Sequence, residues 1–587
     1  MQVPAPLQNT LVVLGCSATK FEVAGQVPAV YLYDGPMYRV LRSRLRTHRW
    51  PKQLSIGVLS AKYGLIGSVA PIESYDQRMT TDRAASLRSQ VTTTLSGLVK
   101  QDTQVHLVLG KDYLQSIDSG ALDKRAQVHC VEGGIGVKLQ QFSNLLSSFP
   151  SAPRPSAEPS LGENKRPLYF LPDWDDFVDA DFDFDKDSFS TARRDGRNEA
   201  HTIQLLQPQR VCDGILVSLA QHLGTKGLLR RVPPSDHSLM RPRSVRDHFT
   251  LSPDQLAFGD CGAFSYARQH DPAISVDQAI AVYELYEFDL GASVDHIPLR
   301  EIVDADGNRT PLSEYERKRR VRLTRENADA FIQTWKAKHC KFTPVGVIQG
   351  IDAAAYARQV HEYIEMGYTH IALGGLVPRS DEDIRTIVTQ VHKSLDEYKD
   401  RPWVHLLGVF RPKLQDTIRM CGVSSFDSAT YFRKAWLRSD QNYLGADGEW
   451  YSAIRVPPTS DPRTLLRLKE SGKKESTIAR FEKEALKALR SYGKGKLDVE
   501  SCLSTVLRYD RLLNRGEFSR DSLRKKYRKT LENRPWTKCS CNVCRDIGVN
   551  VVIFRGCNRN KRRGAHNTLK LYEQLKTGNR DTANTSH

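Results

Sequence analysis

Two periodicities alternate along this chain. Short runs of four to six apolar residues recur, and each is followed by a stretch in which apolar positions return at helical spacing. The first run, Leu11-Val12-Val13-Leu14, leads into Gly15-Cys16-Ser17. Further strands are predicted at Ile56–Leu59 and His106–Leu109, with helices between them. Strand–helix alternation of this kind builds a parallel α/β sheet. Residues 148–167 then break the pattern, reading Phe-Pro-Ser-Ala-Pro-Arg-Pro-Ser-Ala-Glu-Pro and onward, the composition of a linker. A second alternation follows, with strands predicted at Gly214–Leu219, Leu256–Asp260, Ser293–Ile297, Thr343–Gln349, His370–Gly374, Val404–Val409 and Ser424–Asp427. Between two of them, Ala354–Ile364 carries Ala, Tyr, Val and Ile at helical spacing. Seven strands with short connections predict a (β/α)8 barrel of the TIM type whose eighth strand the pattern does not locate. In such barrels the C-terminal strand ends carry the chemistry. The expected organisation is an N-terminal α/β domain over 1–147, a linker over 148–167, the barrel over 168–460, and a basic helical and zinc-binding region over 461–587.

Charge sharpens this outline. The chain carries a net charge of +18. From Asp461 onward there are 31 Lys+Arg and 14 Asp+Glu, or +17, which leaves +1 for the 460 residues before it. The excess includes Arg524-Lys525-Lys526, Arg528-Lys529 and Lys561-Arg562-Arg563. A basic region this long attracts polyanions by releasing counterions, so a nucleic acid is the expected partner. An acidic, aromatic stretch (Asp173, Trp174, Asp175, Asp176, Asp179, Asp181, Asp183, Asp185, Asp187) reads best as a surface segment that packs its Phe residues. Docking against the basic region and a metal loop are the other readings. No stretch approaches the ~20 apolar residues that a membrane-spanning helix needs. Eleven cysteines in 587 residues fit a reducing cytoplasm rather than a disulfide scaffold.

Three of those cysteines cluster. Cys539-Ser-Cys541-Asn-Val-Cys544 is followed by His566. Three thiolates and one imidazole form a closed tetrahedral shell, the mark of structural zinc. Cys557 is a competing fourth ligand.

This Cys-x-Cys-x-x-Cys…His-Asn order after an α/β barrel resembles the tRNA-guanine transglycosylase family, and the barrel motifs align with it. Phe258-Gly-Asp260-Cys261-Gly-Ala-Phe264 looks like the family's Asp-Ser-Gly-Gly-Phe/Tyr segment. Gly291-Ala-Ser-Val-Asp295, Gly346-Val-Ile-Gln349-Gly350, Gly374-Gly375-Leu376 and Leu406-Leu407-Gly408-Val409 match further motifs in order. Gly422-Val-Ser-Ser-Phe-Asp427-Ser428 resembles the family's Gly-Val-Asp-Met-Phe-Asp-Cys segment, whose last aspartate is the nucleophile. Ala429-Thr430-Tyr431 replaces the Pro-Thr-Arg that follows the nucleophile in the tRNA enzymes. Together with the acidic Phe-Asp-Phe-Asp stretch and the added N-terminal unit, this points to the DpdA branch, which inserts 7-cyano-7-deazaguanine (preQ0) into DNA. The resemblance implies a pentosyltransferase with Asp427 as nucleophile and Asp260 as general acid and base. It implies a base slot in which Asp295 accepts from the purine's N1–H and amine and Gln349 pairs with the O6 face. The backbones of Gly375 and Leu376 allow close approach, and Phe264 and Leu407 sandwich the ring. Cys261 stands in place of serine in that pocket. An ATP-using partner from the same modification system is implied as well. The alternatives are a tRNA-guanine transglycosylase of the queuosine or archaeosine type and a non-catalytic nucleic-acid-binding paralogue. The N-terminal unit, through Cys16-Ser-Ala-Thr-Lys20, Tyr33-Asp-Gly-Pro36, Ser60-Ala-Lys-Tyr-Gly-Leu65 and Tyr75-Asp76, is distantly similar to the YaaA proteins. Cys16 and Lys20 mark either a small-ligand or nucleic-acid site at a strand end, or an ordinary loop with a buried thiol.

Overall fold

The computed structural model describes residues 9–99, 103–118, 120, 127–150, 152–153, 166–173, 176–191, 199–222, 237–303, 306–437, 440–462, 465, 474–513 and 520–577. Most of the predicted linker, together with Trp174 and Asp175, lies outside them. The chain folds as two compact units, 1–160 with 216–248 and 252–405, and 161–215 with 249–251 and 406–587.

The first unit opens with a five-stranded sheet in the order Gly64–Gly67, Leu54–Ser60, Thr10–Gly15, Gln104–Val108, Gln127–Cys130. Four strands run parallel, as the alternation predicts. The edge strand Gly64–Gly67 instead returns antiparallel after a tight turn, its Leu65 opposite Leu59. The helix Thr81–Leu98 starts where Thr80 accepts the N–H of Arg83, and it buries Ala84, Leu87, Val91 and Leu95. That one-sided spacing seals the helix onto Leu11, Val13 and Leu107.

The same unit contains the barrel's helices Val276–Leu285 and Glu314–Ala337, and the N-terminal sheet packs against this region. The Arg49 guanidinium donates to Glu287 at 2.8 Å, and Ile56 N–H and Ser68 Oγ both donate to the Met240 carbonyl at 2.8 Å. The Lys338 ammonium lies 4.3 Å above the Tyr31 ring.

Eight parallel strands close the barrel in the order Gly214–Ser218, Leu256–Asp260, Leu290–Ala292, Thr343–Ile348, His370–Leu373, Trp403–Leu406, Ser425–Asp427, Leu168–Pro172. The missing eighth strand is thus the segment that comes first in sequence. It pairs with the last strand in the register Ser425↔Leu168, Phe426↔Tyr169, Asp427↔Phe170. Two strands end three or more residues earlier than expected. Ser293–Ile297 is not the third strand: the ladder runs over Leu290–Ala292, and Ser293 N–H makes a last bond to Val345 O. Beyond it the chain leaves the sheet, because His296 N–H is taken by Thr324 Oγ1 on the Glu314–Ala337 helix. The sixth strand stops at Leu406, and Gly408 turns the chain at φ +75°.

In the second unit the acidic stretch docks on the basic region. Asp187 pairs with both Arg555 and Arg559, and Asp185 with Arg490 at 3.7 Å. Phe182 packs edge-on to Phe184 and Phe189, and the Arg559 guanidinium lies 5.1 Å above the Phe184 ring. Arg562 and Arg563 are buried, and they donate to the carbonyls of Asp179 and Val551 at 3.0 and 2.9 Å. They cannot reach a phosphate. The expectation of polyanion contact therefore fails for this pair, whose charge holds the fold together. Arg524 and Arg528 are also paired, sharing Glu500. Among the described residues no helix is long and apolar enough to cross a membrane.

Asp187→Ala leaves two largely buried guanidinium groups short of their shared anion. It is expected to cost about 3 kcal/mol, the scale for breaking a buried pair. A lowered urea midpoint and earlier proteolysis within 178–191 would register it.

Candidate active site and metal centre

In barrels of this type the C-terminal strand ends carry the chemistry. In the first unit three such ends bring a polar cluster together. Asp260 ends its strand and accepts the Gly262 N–H at 3.0 Å, which fixes the turn that follows. Cys261 and Asp295 are both buried, and the thiol donates to Asp295 Oδ1 at 2.9 Å. Gln349 Nε2 donates to Asp295 Oδ2 at 2.6 Å. Tyr266 supports the arrangement by donating to the Asp295 carbonyl at 2.8 Å, with its hydroxyl 3.0 Å from Cys261 Sγ. Oxygen and sulfur atoms of Asp260, Cys261 and Asp295 fall within 4.8 Å of one another. Burial pushes the Asp295 carboxyl above the ordinary aspartate value, against the opposing pull of the Cys261 and Gln349 hydrogen bonds.

One atom of this cluster lacks a partner. Gln349 Oε1 is buried and accepts no hydrogen bond. Such an orphan is costly unless something else supplies a donor. Two glycines hold the space around it: a Cβ at Gly374 would stand 2.3 Å from Gln349 Nε2, and one at Gly375, whose φ is +66°, 2.5 Å from Oε1. The Gln349 carbonyl accepts from Gln359 Nε2 at 2.7 Å, and Arg379 ties the Gly350 and Gly375 carbonyls together. Leu376 is fully buried. Phe264 is 54% exposed, a large apolar ring with little of the core around it.

In the second unit Asp427 is the last residue of its strand and is buried. Its Oδ1 accepts the Gly408 N–H at 2.7 Å, and the neighbouring Leu407 is half-buried. The positive φ of Gly408 belongs to the turn that presents this N–H.

The C-terminal cluster matches its expectation closely. His566 Nδ1 lies 3.7, 3.4 and 3.4 Å from the sulfurs of Cys539, Cys541 and Cys544. Ordinary zinc–sulfur and zinc–nitrogen bond lengths at tetrahedral angles give an edge of about 3.6 Å. His566 Nε2 donates to the Leu444 carbonyl at 2.7 Å, which leaves Nδ1 free to ligate. The ring stacks on Tyr443 at 4.2 Å, and the Tyr443 hydroxyl is 3.2 Å from Cys544 Sγ. All four donors are buried, whereas Cys557 is exposed and apart from them. This set can hold a metal such as zinc.

Comparison with known proteins places the chain in a family. A family of unknown function (DUF6884) matches residues 11–144. A protein of Salmonella montevideo described as DNA-guanine transglycosylase is 37% identical over 411 residues, covering 69% of this chain and 96% of that protein. The chain belongs to the DNA-guanine transglycosylase family. It is a transferase of the pentosyl class, and this family is the DpdA-type branch to which the barrel motifs point.

Sequence reasoning missed several supports of this family's site here. Tyr266, Gln359 and Arg379 act through two or three hydrogen bonds each, and no spacing announces them. It also missed the trio Asp173, Asp176 and His201, just past the eighth strand. There His201 Nδ1 is 3.0 Å from Asp176 Oδ1 and 3.9 Å from Asp173 Oδ1. Asp176 Oδ2 accepts the Thr202 N–H at 2.8 Å, so the pair also fixes the start of a short helix. The acidic stretch contained both aspartates, but nothing marked the histidine as their partner.

Metal analysis of the purified chain is expected to give about one zinc per molecule, as a closed Cys3His shell requires. His566→Ala is expected to lower that content and to reduce thermal stability, because metal binding and folding of such a module are coupled.

Proposed function

We propose that this enzyme exchanges guanine in DNA for 7-cyano-7-deazaguanine through a covalent aspartyl–sugar intermediate. The observation that carries the reading is the Cys261–Asp295–Gln349 cluster beside Asp260, a buried, hydrogen-bonding slot at the strand ends of a parallel barrel. The described activity of the Salmonella montevideo relative supports it.

Retention of sugar stereochemistry calls for two inversions, and hence a carboxylate that holds the sugar between them. Asp427 takes that role. Its Oδ1 is fixed by the Gly408 N–H, which orients the carboxylate before substrate arrives. It attacks C1′ as the bond from C1′ to guanine N9 breaks. Asp260 gives its proton to the departing guanine and then takes one from N9 of the incoming deazaguanine, whose attack on C1′ releases Asp427.

The slot reads the base. Asp295 accepts from N1–H and the exocyclic amine, which requires the ionised carboxylate. Gln349 presents its carbonyl, with Nε2 spent on Asp295. Its reading of O6 therefore needs the amide to turn over on binding; otherwise Oε1 takes a donor from the base. Backbone N–H groups of Gly375 and Leu376 approach O6, and Phe264 and Leu407 close on the ring faces. Cys261 acts by aiming Asp295. Cys539, Cys541, Cys544 and His566 would hold a structural zinc, which would tie the last helix to the preceding turn.

A base in a duplex hides C1′, so the nucleotide must leave the stack, at a cost of a few kcal/mol. Phosphate contacts from the basic region and an ATP-using, strand-opening partner offset that cost. The cysteines suit a reducing cytoplasm.

Mass spectrometry of nucleosides from DNA incubated with the protein and 7-cyano-7-deazaguanine is expected to show the deazaguanosine product. Asp427→Ala is expected to abolish it, a loss of at least about 10³-fold, on the scale of removing a covalent nucleophile. Product found in tRNA and absent from DNA overturns the DNA reading. Base affinity is also expected to depend on pH. Because the Asp295 pKa is raised and the ionised form binds, affinity rises as pH climbs through a midpoint above the usual aspartate value. Calorimetric titration with guanine across pH 4 to 8 tests this, and Asp295→Asn should remove the dependence.

A further inference from the structure

A second cleft, remote in sequence from the base-exchange residues, opens at the C-terminal edge of the N-terminal sheet. The strand Thr10–Gly15 pairs in parallel with Leu54–Ser60 on one side and Gln104–Val108 on the other. Connections that leave these strand ends diverge to opposite sides, so a crevice forms between Gly15 and Val108. Open parallel sheets bind ligands at such switch points. The crevice here has a volume of about 330 Å³, within the range of small-molecule sites.

Its walls differ in chemistry from an ordinary surface groove. Lys138 is the one charged side chain among the described residues that line it, and no carboxylate does. The Lys138 ammonium donates to the Leu109 carbonyl, which holds it at the strand end with two further N–H donors available. Cys16 lies on the floor with its sulfur 3.0 Å from the Tyr113 hydroxyl. Ile135, at the mouth, is 60% exposed, an apolar surface left open beside a cation. Backbone forms much of the remainder. At Gly35 a Cβ would stand 2.5 Å from Ser17 Oγ, so only glycine lets the two loops approach this closely. The helices Pro36–Thr47 and Ile135–Ser148 both begin at this wall behind glycine N-caps that make no side-chain cap bond. Their first-turn N–H groups add to the pull on an anion.

We propose that this cleft binds a nucleoside phosphate, with the phosphate against Lys138 and the Gly110 backbone and the base between Tyr113 and Ile135. A single cation without a competing carboxylate selects an anion. The apolar wall selects a flat ring, and the volume accommodates both. The phosphate comes either from a free nucleotide or from the end of a DNA strand. The proposal is independent of the base-exchange reading.

Cys16 supplies a local readout. It is a partly buried free thiol inside the cleft, while Cys130 and Cys557 are exposed elsewhere. The full-length protein is alkylated with iodoacetamide, and each cysteine is followed by peptide mass spectrometry. Saturating dGMP is expected to slow Cys16 alkylation about fivefold or more, in proportion to occupancy, with Cys130 and Cys557 unchanged. Deoxyguanosine should give no protection. Lys138→Gln should lose the dGMP protection relative to its own ligand-free rate. Gly35→Ala, which drives a methyl group into Ser17, should lose it too. A 5′-phosphorylated oligodeoxynucleotide that protects where dGMP does not, and where its unphosphorylated form does not, identifies a DNA end as the source. The proposal is overturned if neither phosphate compound slows Cys16, if deoxyguanosine protects equally, or if Lys138→Gln remains protected.

Discussion

The ladder between Ser425–Asp427 and Leu168–Pro172 is the constraint on which the barrel rests. A parallel sheet with an open edge exposes a row of unpaired N–H and C=O groups, and closure removes that edge. Here closure is made by the strand that comes first in the chain pairing with the one that comes last. The register it imposes sets Asp427 opposite Phe170, at the end where parallel strands carry their chemistry. The position of the nucleophile candidate is thereby tied to the closure of the fold and not to a local loop.

Around the base slot the governing interaction is the burial of one carboxylate. Asp295 is out of water, and an ionised carboxylate there is costly unless donors surround it. Cys261 and Gln349 supply one donor each, and Tyr266 steadies the backbone behind them. The network is complete except at Gln349 Oε1 and, on the supporting Gln359, its Oε1. An incomplete polar network in a folded core is strained in free energy, and a ligand that completes it gains by doing so. Serine would offer the same hydrogen-bond role as Cys261 with a shorter reach, so the thiol preserves the geometry of the motif while enlarging the side chain.

The basic C-terminal region divides into two populations. Arg555, Arg559, Arg562 and Arg563 are buried, spending their donors on Asp187 and on backbone carbonyls. Planar guanidinium groups suit this work because each can satisfy several carbonyls at once. Arg524, Arg528 and Lys529 of the Arg520–Asn533 helix stay at the surface, where ion pairs with Glu449 and Glu500 are weak enough to exchange for phosphate. The net charge of the region thus overstates what a nucleic acid can meet.

Much of this was legible in the residues alone. Six of the barrel strands, three strands of the N-terminal sheet and the Cys539-Cys541-Cys544 turn follow from local periodicity and spacing, because short-range pattern decides strand, helix and metal turn, while His566 as fourth ligand and the ordered barrel motifs rest on the family resemblance. The eighth strand was not legible, since Leu168–Pro172 lies beside an acidic loop and becomes a barrel strand by pairing with Ser425–Asp427, more than 250 positions away, as well as with Gly214–Ser218. The early end of the third strand was likewise hidden, since Thr324 on a later helix captures its backbone. The sequence also could not say which arginines face water, nor that Asp176 finds His201. Those outcomes depend on which distant side chains share a low-dielectric interior. Sequence spacing carries no record of that, and only the packed chain decides it.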